Sequence, residues 1–120
     1  LGEPEGGDSF ASAAELASHV GSRLNRPVSL VDAGLSAIKK IAWCTGGAQS
    51  YFEGAIAAGA QAFLTGEISE PQAHYARECG VSFLACGHHA TERYGAPAVA
   101  AHVAAQLGLQ HQFIEIDNPA

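Results

Sequence analysis

The chain has 120 residues, 48% hydrophobic and 15% charged, with a formal net charge of −6. That length fits one domain with a real core. It lacks the basic run that a nucleic-acid backbone needs, the ~20 consecutive apolar residues of a membrane span and a signal-peptide pattern.

Low charge with heavy use of alanine and glycine suggests close helix–sheet packing and a surface partly covered by a partner or another domain. Three cysteines, Cys44, Cys79 and Cys86, stand at no zinc-motif spacing. They read as reduced thiols of a cytoplasmic protein. The sequence starts at Leu1 and contains no methionine, so a processed chain or a piece of a longer protein is expected.

Residues 1–8 are rich in Gly, Pro and Glu and read as a linker or disordered lead-in. Residues 9–120 read as a single α/β domain. Ser12-Ala13-Ala14-Glu15 is a capping box, with a hydroxyl for the N3 amide and a carboxylate reaching back. Leu16, Val20 and Leu24 then form one apolar helix stripe, which Asn25 can end. Pro27 leads into a short strand, Val28-Ser29-Leu30-Val31, and Asp32-Ala33-Gly34 is a turn. A second strand, Lys39 to Cys44, runs apolar without alternation, as in a strand covered on both faces.

Thr45-Gly46-Gly47-Ala48 follows, then a helix through Phe52, Ala55 and Ile56 to Gly59. The third strand is Ala60 to Thr65, and Gly66-Glu67-Ile68 is a loop. Ser69-Glu70-Pro71-Gln72 is a second capping box, whose helix points Ala73, Ala76 and Cys79 inward and ends at Gly80. The fourth strand is Val81 to Cys86. Ala96, Val99, Ala100, Val103 and Leu107 mark a last helix closed by Gly108. Gln112 to Ile116 reads as a final strand and residues 117–120 as a tail.

Strand and helix alternate from residue 39 onward. The expected fold class is therefore α/β: a three-layer α/β/α arrangement with a largely parallel or mixed sheet of about five strands. The lead helix and first strand can add an antiparallel edge. In a parallel sheet the ends of strands two, three and four share one edge. The loops Thr45-Gly46-Gly47, Gly66-Glu67 and Gly87-His88-His89 are thus expected to line one crevice, where open α/β sheets bind ligands.

His88 and Glu92 are four residues apart, hence on one face of a helix. A neutral imidazole beside a carboxylate can bind a divalent transition metal, though two ligands do not close a site. The same His-His pair also suits a helix cap or a solvated turn. The Thr45-Gly46-Gly47 loop can present helix-start amides to a phosphate or carboxylate of a cofactor, or be no more than a tight turn. Glu67 is a candidate ligand, a candidate base, or the acid of a helix lead-in. His89 can orient His88 or contact substrate. His74 reads as a surface or interface histidine, and His19, His102 and His111 as surface. No G-x-S-x-G elbow and no C-x-x-C occur, which sets aside a Ser-His-Asp hydrolase and a thioredoxin-like role.

Four segments occur together in order: Trp43-Cys44-Thr45-Gly46-Gly47; Thr65-Gly66-Glu67 with His74 after it; Gly87-His88-His89-Ala90-Thr91-Glu92-Arg93; and the ending Phe113-Ile114-Glu115-Ile116-Asp117-Asn118-Pro119-Ala120. Residues 28–120, which contain them, resemble the proteins called GTP cyclohydrolase 1 type 2 homologs, a dinuclear-metal family grouped with "interacting factor three"-like proteins. The resemblance implies an α/β/α fold with two similar domains per subunit, a ring-like hexamer and a two-metal site between the domains. It places metal ligands on His88 and Glu92. It assigns the other ligands, a second His-His pair and an aspartate, to an amino-terminal half that this chain lacks.

The resemblance thereby implies a fragment of a hydrolase-like protein. The intact form would use two divalent ions (Zn, Mn or Fe, undistinguished) on a purine nucleotide or similar electrophile, with His89 and Glu67 moving protons or orienting ligands. The fragment alone would bind metal weakly and be inactive. The alternative is a non-enzymatic metal-binding regulatory or protein-interaction module.

Overall fold

Ser12 starts the first helix as its sequence predicts. Its hydroxyl accepts from Glu15 N at 3.1 Å, and the Glu15 carboxylate accepts from Ala11 N at 2.6 Å. The helix, α1, spans Ala13–Leu24 and ends at Asn25, whose left-handed backbone (φ 51) closes the last turn. The computed structural model describes residues 1–119; Ala120, the last residue of the expected tail, lies outside them.

Four strands follow in the sheet order β1-β4-β3-β2: β1 Ser29–Val31, β2 Ile41–Trp43, β3 Ala62–Thr65 and β4 Ser82–Ala85. Strands β2, β3 and β4 are parallel, and β1 pairs antiparallel with β4 (Leu30 opposite Leu84). The antiparallel edge is therefore real. Helix α2 (Phe52–Ala57) links β2 to β3, and α3 (Glu70–Cys79) links β3 to β4. A short α4 (His88–Glu92) and a longer α5 (Gly95–Leu107) complete the chain.

Two apolar clusters sandwich the sheet. On one face Phe52 and Ala55 of α2 and Ala76 of α3 meet Ala42, Phe63 and Phe83. Phe52, Phe63 and Phe83 form a mutually touching trio with ring centroids 4.9–5.6 Å apart; each such pair contributes ~0.5–1.5 kcal/mol beyond the area it buries. On the other face Leu16 of α1 packs with Ile38, Ala62, Leu84 and Cys86. The layers are thus α/β/α.

Several expectations are corrected. The sheet has four strands among the described residues, because Gln112 to Ile116 forms none. Residues 109–119 carry no regular structure, and contacts to Arg26, His89 and Arg93 are among those that hold them beside α4 instead of along a sheet edge. The second strand is not covered on both faces: β2 is an edge, and Trp43 is 60% exposed.

The apolar stripe of α5 is not core either. Only Ala104 of that helix is buried, and Leu107 is 68% exposed. Helices α1 and α2/α3 already take the two sheet faces. Ser69 makes no side-chain cap; its hydroxyl accepts from Gln49 instead. Within residues 1–8, read as a lead-in, Gly2 exchanges two backbone hydrogen bonds with Ile41 at the β2 edge.

Candidate metal centre

Because β2, β3 and β4 run parallel, their ends emerge on one edge, and hydrogen bonds continue past the strands to draw the loops together. Cys86 N donates to Thr65 O (2.7 Å), Gly87 N to Gly66 O (2.9 Å) and Gly66 N to Gly46 O (2.8 Å). The buried Thr65 hydroxyl donates to Gly46 O at 2.9 Å and accepts from Ala48 N at 3.2 Å. Thr91 Oγ1 accepts from Gly46 N at 3.0 Å, tying the β2 loop to α4. The loops pass so closely that a Cβ on Gly66 would lie 2.6 Å from Gly46 O and 2.7 Å from His88 Cα. Gly87, with φ 93, supplies the left-handed turn from which α4 starts.

This crossing sets His88 between two carboxylates. Its Nδ1 is 2.5 Å from Glu67 Oε1, and its Nε2 is 3.1 Å from Glu92 Oε2. Gln49 Nε2 lies 3.4 Å from the other Glu67 oxygen. The Glu67 hydrogen bond, reinforced by Glu92, pushes the His88 pKa above the ordinary imidazole value despite some desolvation. The same bond to His88, with help from Gln49, pulls Glu67 below the usual carboxylate value.

The spacing of this ion pair also matches the separation of two donor atoms on one cation. Two metal–ligand bonds of ~2.1 Å at tetrahedral to octahedral angles place their donor atoms about 3.0–3.4 Å apart, and His88 Nε2 and Glu92 Oε2 stand at 3.1 Å. Glu67 on Nδ1 fixes the ring and its tautomer, as a carboxylate behind a metal-bound histidine does. Gly46 keeps the space clear: a Cβ there would overlap the Glu92 carboxylate and lie 3.2 Å from His88 Nε2. Among the described residues, however, no three or more His, Cys, Asp or Glu side chains converge to hold an ion. This chain offers two donors and no closed cage.

The family model described as Duf34/NIF3 (NGG1p interacting factor 3) matches residues 7–119. The chain belongs to that family. Its relatives include proteins called "GTP cyclohydrolase 1 type 2 homolog" in Allochromatium vinosum (52% identical over 107 residues) and Pseudomonas aeruginosa (54% over 107 residues); each match takes in 89% of this chain. A solved structure described as "Structural genomics, protein ybgI, unknown function" superimposes with a TM-score of 0.87 at 44% identity, covering 92% of this chain and 45% of that one. The resemblance to the GTP cyclohydrolase 1 type 2 homologs read from the motifs is thus borne out, and so is the α/β fold. The chain spans 42% of the length of those two relatives.

The structure brings His88, Glu92 and Glu67 together with the Thr45-Gly46-Gly47 loop, and it puts His89 to one side. Both Gly46 N and Ala48 N donate to threonine hydroxyls, which takes up two of the amides the loop could offer a ligand. His89 Nε2 instead faces Glu115 Oε1 at 3.4 Å. His74 stands on exposed α3 beside Glu70, Tyr75 and Glu78, apart from the pair. His19 packs tilted against Phe10, with ring centroids 5.4 Å apart and planes at 55°. Sequence reasoning missed Thr65, Thr91, Arg26 and Arg93, whose partners are hydroxyl-to-backbone or lie far along the chain.

Proposed function

We propose that this chain supplies one imidazole and one carboxylate, His88 and Glu92, to a two-metal centre of a hydrolase-like protein. The remaining ligands come from polypeptide outside these 120 residues. The observation that carries this reading is the 3.1 Å approach of His88 Nε2 to Glu92 Oε2, with Glu67 on the opposite ring nitrogen.

A divalent ion held there supplies Lewis acidity toward an electrophile and toward water. The chain's own residues do the rest. Glu67 on Nδ1 would keep the proton there and leave Nε2, which faces Glu92, as the donor atom. Thr91 and Thr65 lock the Gly46 backbone against the pair, and His89 lines the same cavity as His88 and Glu92. A purine nucleotide is the substrate class suggested by the relatives' name, GTP cyclohydrolase 1 type 2 homolog. A hexamer built from longer subunits, a cytoplasmic setting, and Zn, Mn or Fe as the ion complete the reading.

Within it, the isolated chain binds metal weakly and turns nothing over; nanomolar affinity for the chain alone would contradict a shared site. A second reading, a metal-binding interaction module without catalysis, draws on the exposed apolar residues of α5 and the tail. One experiment separates the two. The full-length protein carrying this chain is loaded with Mn²⁺, Fe²⁺ or Zn²⁺ and given GTP, and pterin fluorescence is followed. Turnover supports the hydrolase; a filled site without turnover supports the module. His88→Ala removes metal under both readings, and unchanged metal content would end the ligand assignment.

A further inference from the structure

Beside the metal pair lies a second, polar recess of about 270 Å³, which the proposed reaction leaves unexplained. Its lining brings Arg26, His89 and Arg93 together with Glu115 and Asp117 of the tail. Its cations are fixed by the fold. Arg93 NH2 donates to Leu24 O at the end of α1 (2.6 Å), and the side chain is only 19% exposed. The Arg26 guanidinium rests on Gly87 and fills the space that a Cβ there would need.

Their anionic occupant is not fixed in the same way. Glu115 takes a 2.7 Å hydrogen bond from Arg93 NH1 and sits 3.4 Å from His89 Nε2, yet it is 47% exposed. The segment around it has no regular structure, and its apolar residues Phe113, Ile114 and Ile116 are all exposed. No buried apolar side chain anchors it. Its hold includes polar contacts: Glu115 on Arg93 and His89, and Pro119 O on Arg26 NH2 (3.1 Å). Exposed ion pairs of this kind shift an equilibrium by a few-fold only.

A guanidinium fork matches a carboxylate or a phosphate with equal geometric ease. The recess also adjoins the cation pair, since His89 and Arg93 line a neighbouring cavity together with His88 and Glu92.

We propose that the Arg26–His89–Arg93 recess is an oxyanion subsite of the metal centre, with Glu115 as its built-in stand-in. A carboxylate or phosphate group of an incoming ligand displaces Glu115 from Arg93, and the tail lifts away. That this ligand is the metal centre's substrate rests on the function proposed above; the recess itself does not require the metal.

The test therefore uses the full chain stripped of metal with EDTA. Inorganic phosphate and acetate are titrated separately by calorimetry into the wild type and Glu115→Gln, whose amide keeps the size and removes the charge. Chymotrypsin cleavage after Phe113 reports the tail. The expected result is about three- to five-fold tighter anion binding in Glu115→Gln, and faster cleavage of the wild type when anion is present. The tighter binder of the two identifies the group. Equal or weaker binding in Glu115→Gln, or cleavage indifferent to anion, overturns the proposal. Metal content of His88→Ala, measured separately, tells that failure apart from failure of the metal site.

Discussion

Gly66→Ala probes the crossing of loops that builds the site. The new methyl carbon would lie 2.6 Å from Gly46 O, 2.7 Å from His88 Cα and 2.9 Å from His88 N, all backbone atoms. No flexible side chain can yield, so the loops must separate. Gly66 is not among the positive-φ glycines, so the cost is steric and not conformational. Overpacking of this kind costs ~1–3 kcal/mol. Weakening the Gly66 N to Gly46 O and Gly87 N to Gly66 O bonds adds ~1 kcal/mol. The sum is a destabilisation of roughly 2–4 kcal/mol.

Gly54→Ala is the matched control. Gly54 lies inside α2 with nothing within 4 Å of a Cβ, and alanine there stabilises by ~0.5–1 kcal/mol. Urea unfolding of both variants and the parent at one pH, with unchanged m-values, gives the two differences. Gly66→Ala within ~0.5 kcal/mol of the parent would refute the close packing of Gly46 and His88.

Two further outcomes follow from the electrostatics. In the metal-free chain, NMR titration of His88 gives a midpoint above 6.5, because Glu67 and then Glu92 favour the charged ring; Glu67→Gln lowers that midpoint. A raised pKa in the folded state means the pair stabilises the fold fully below the unfolded value and loses that contribution as pH rises through the folded one, so Glu67→Gln costs more stability at pH 5 than at pH 9. A Glu67→Gln midpoint equal to the parent's would refute the contact. Among the thiols, burial pushes Cys86 up to about 11, with Arg26 only partly opposing it, leaving about one thiolate in a thousand at pH 8. Exposed Cys79 therefore reacts first with a thiol reagent in the native chain and Cys86 only on unfolding; early labelling of Cys86 would show that its burial is wrong.

Local chemistry was legible and long-range chemistry was not. The Ser12–Glu15 cap, the left-handed ends at Asn25 and Gly80, and the meeting of three strand-end loops all follow from short spacings and from strand–helix alternation. So does the His88–Glu92 pair, fixed by a helical spacing of four. Glu67 was a candidate with three roles, and only the fold chose one by placing it on His88 Nδ1. Arg26 meets Pro119 O across 93 residues and Arg93 meets Leu24 O across 69, separations that no local pattern encodes. Periodicity marked Val99, Val103 and Leu107 of α5 as an inward stripe, yet all three are exposed and the buried residue is Ala104. The same limit explains residues 112–116: alternating apolar residues make a strand only where a neighbouring strand can take their backbone groups.

The most direct test of the shared cation is site-resolved. The chain, labelled with ¹⁵N-histidine, is titrated with Mn²⁺, and paramagnetic broadening is read at each of its six imidazoles. Broadening that starts at His88, extends to adjacent His89, and spares His19, His74, His102 and His111 until much higher metal is the predicted result. Uniform broadening, or broadening that begins at His74, would contradict it.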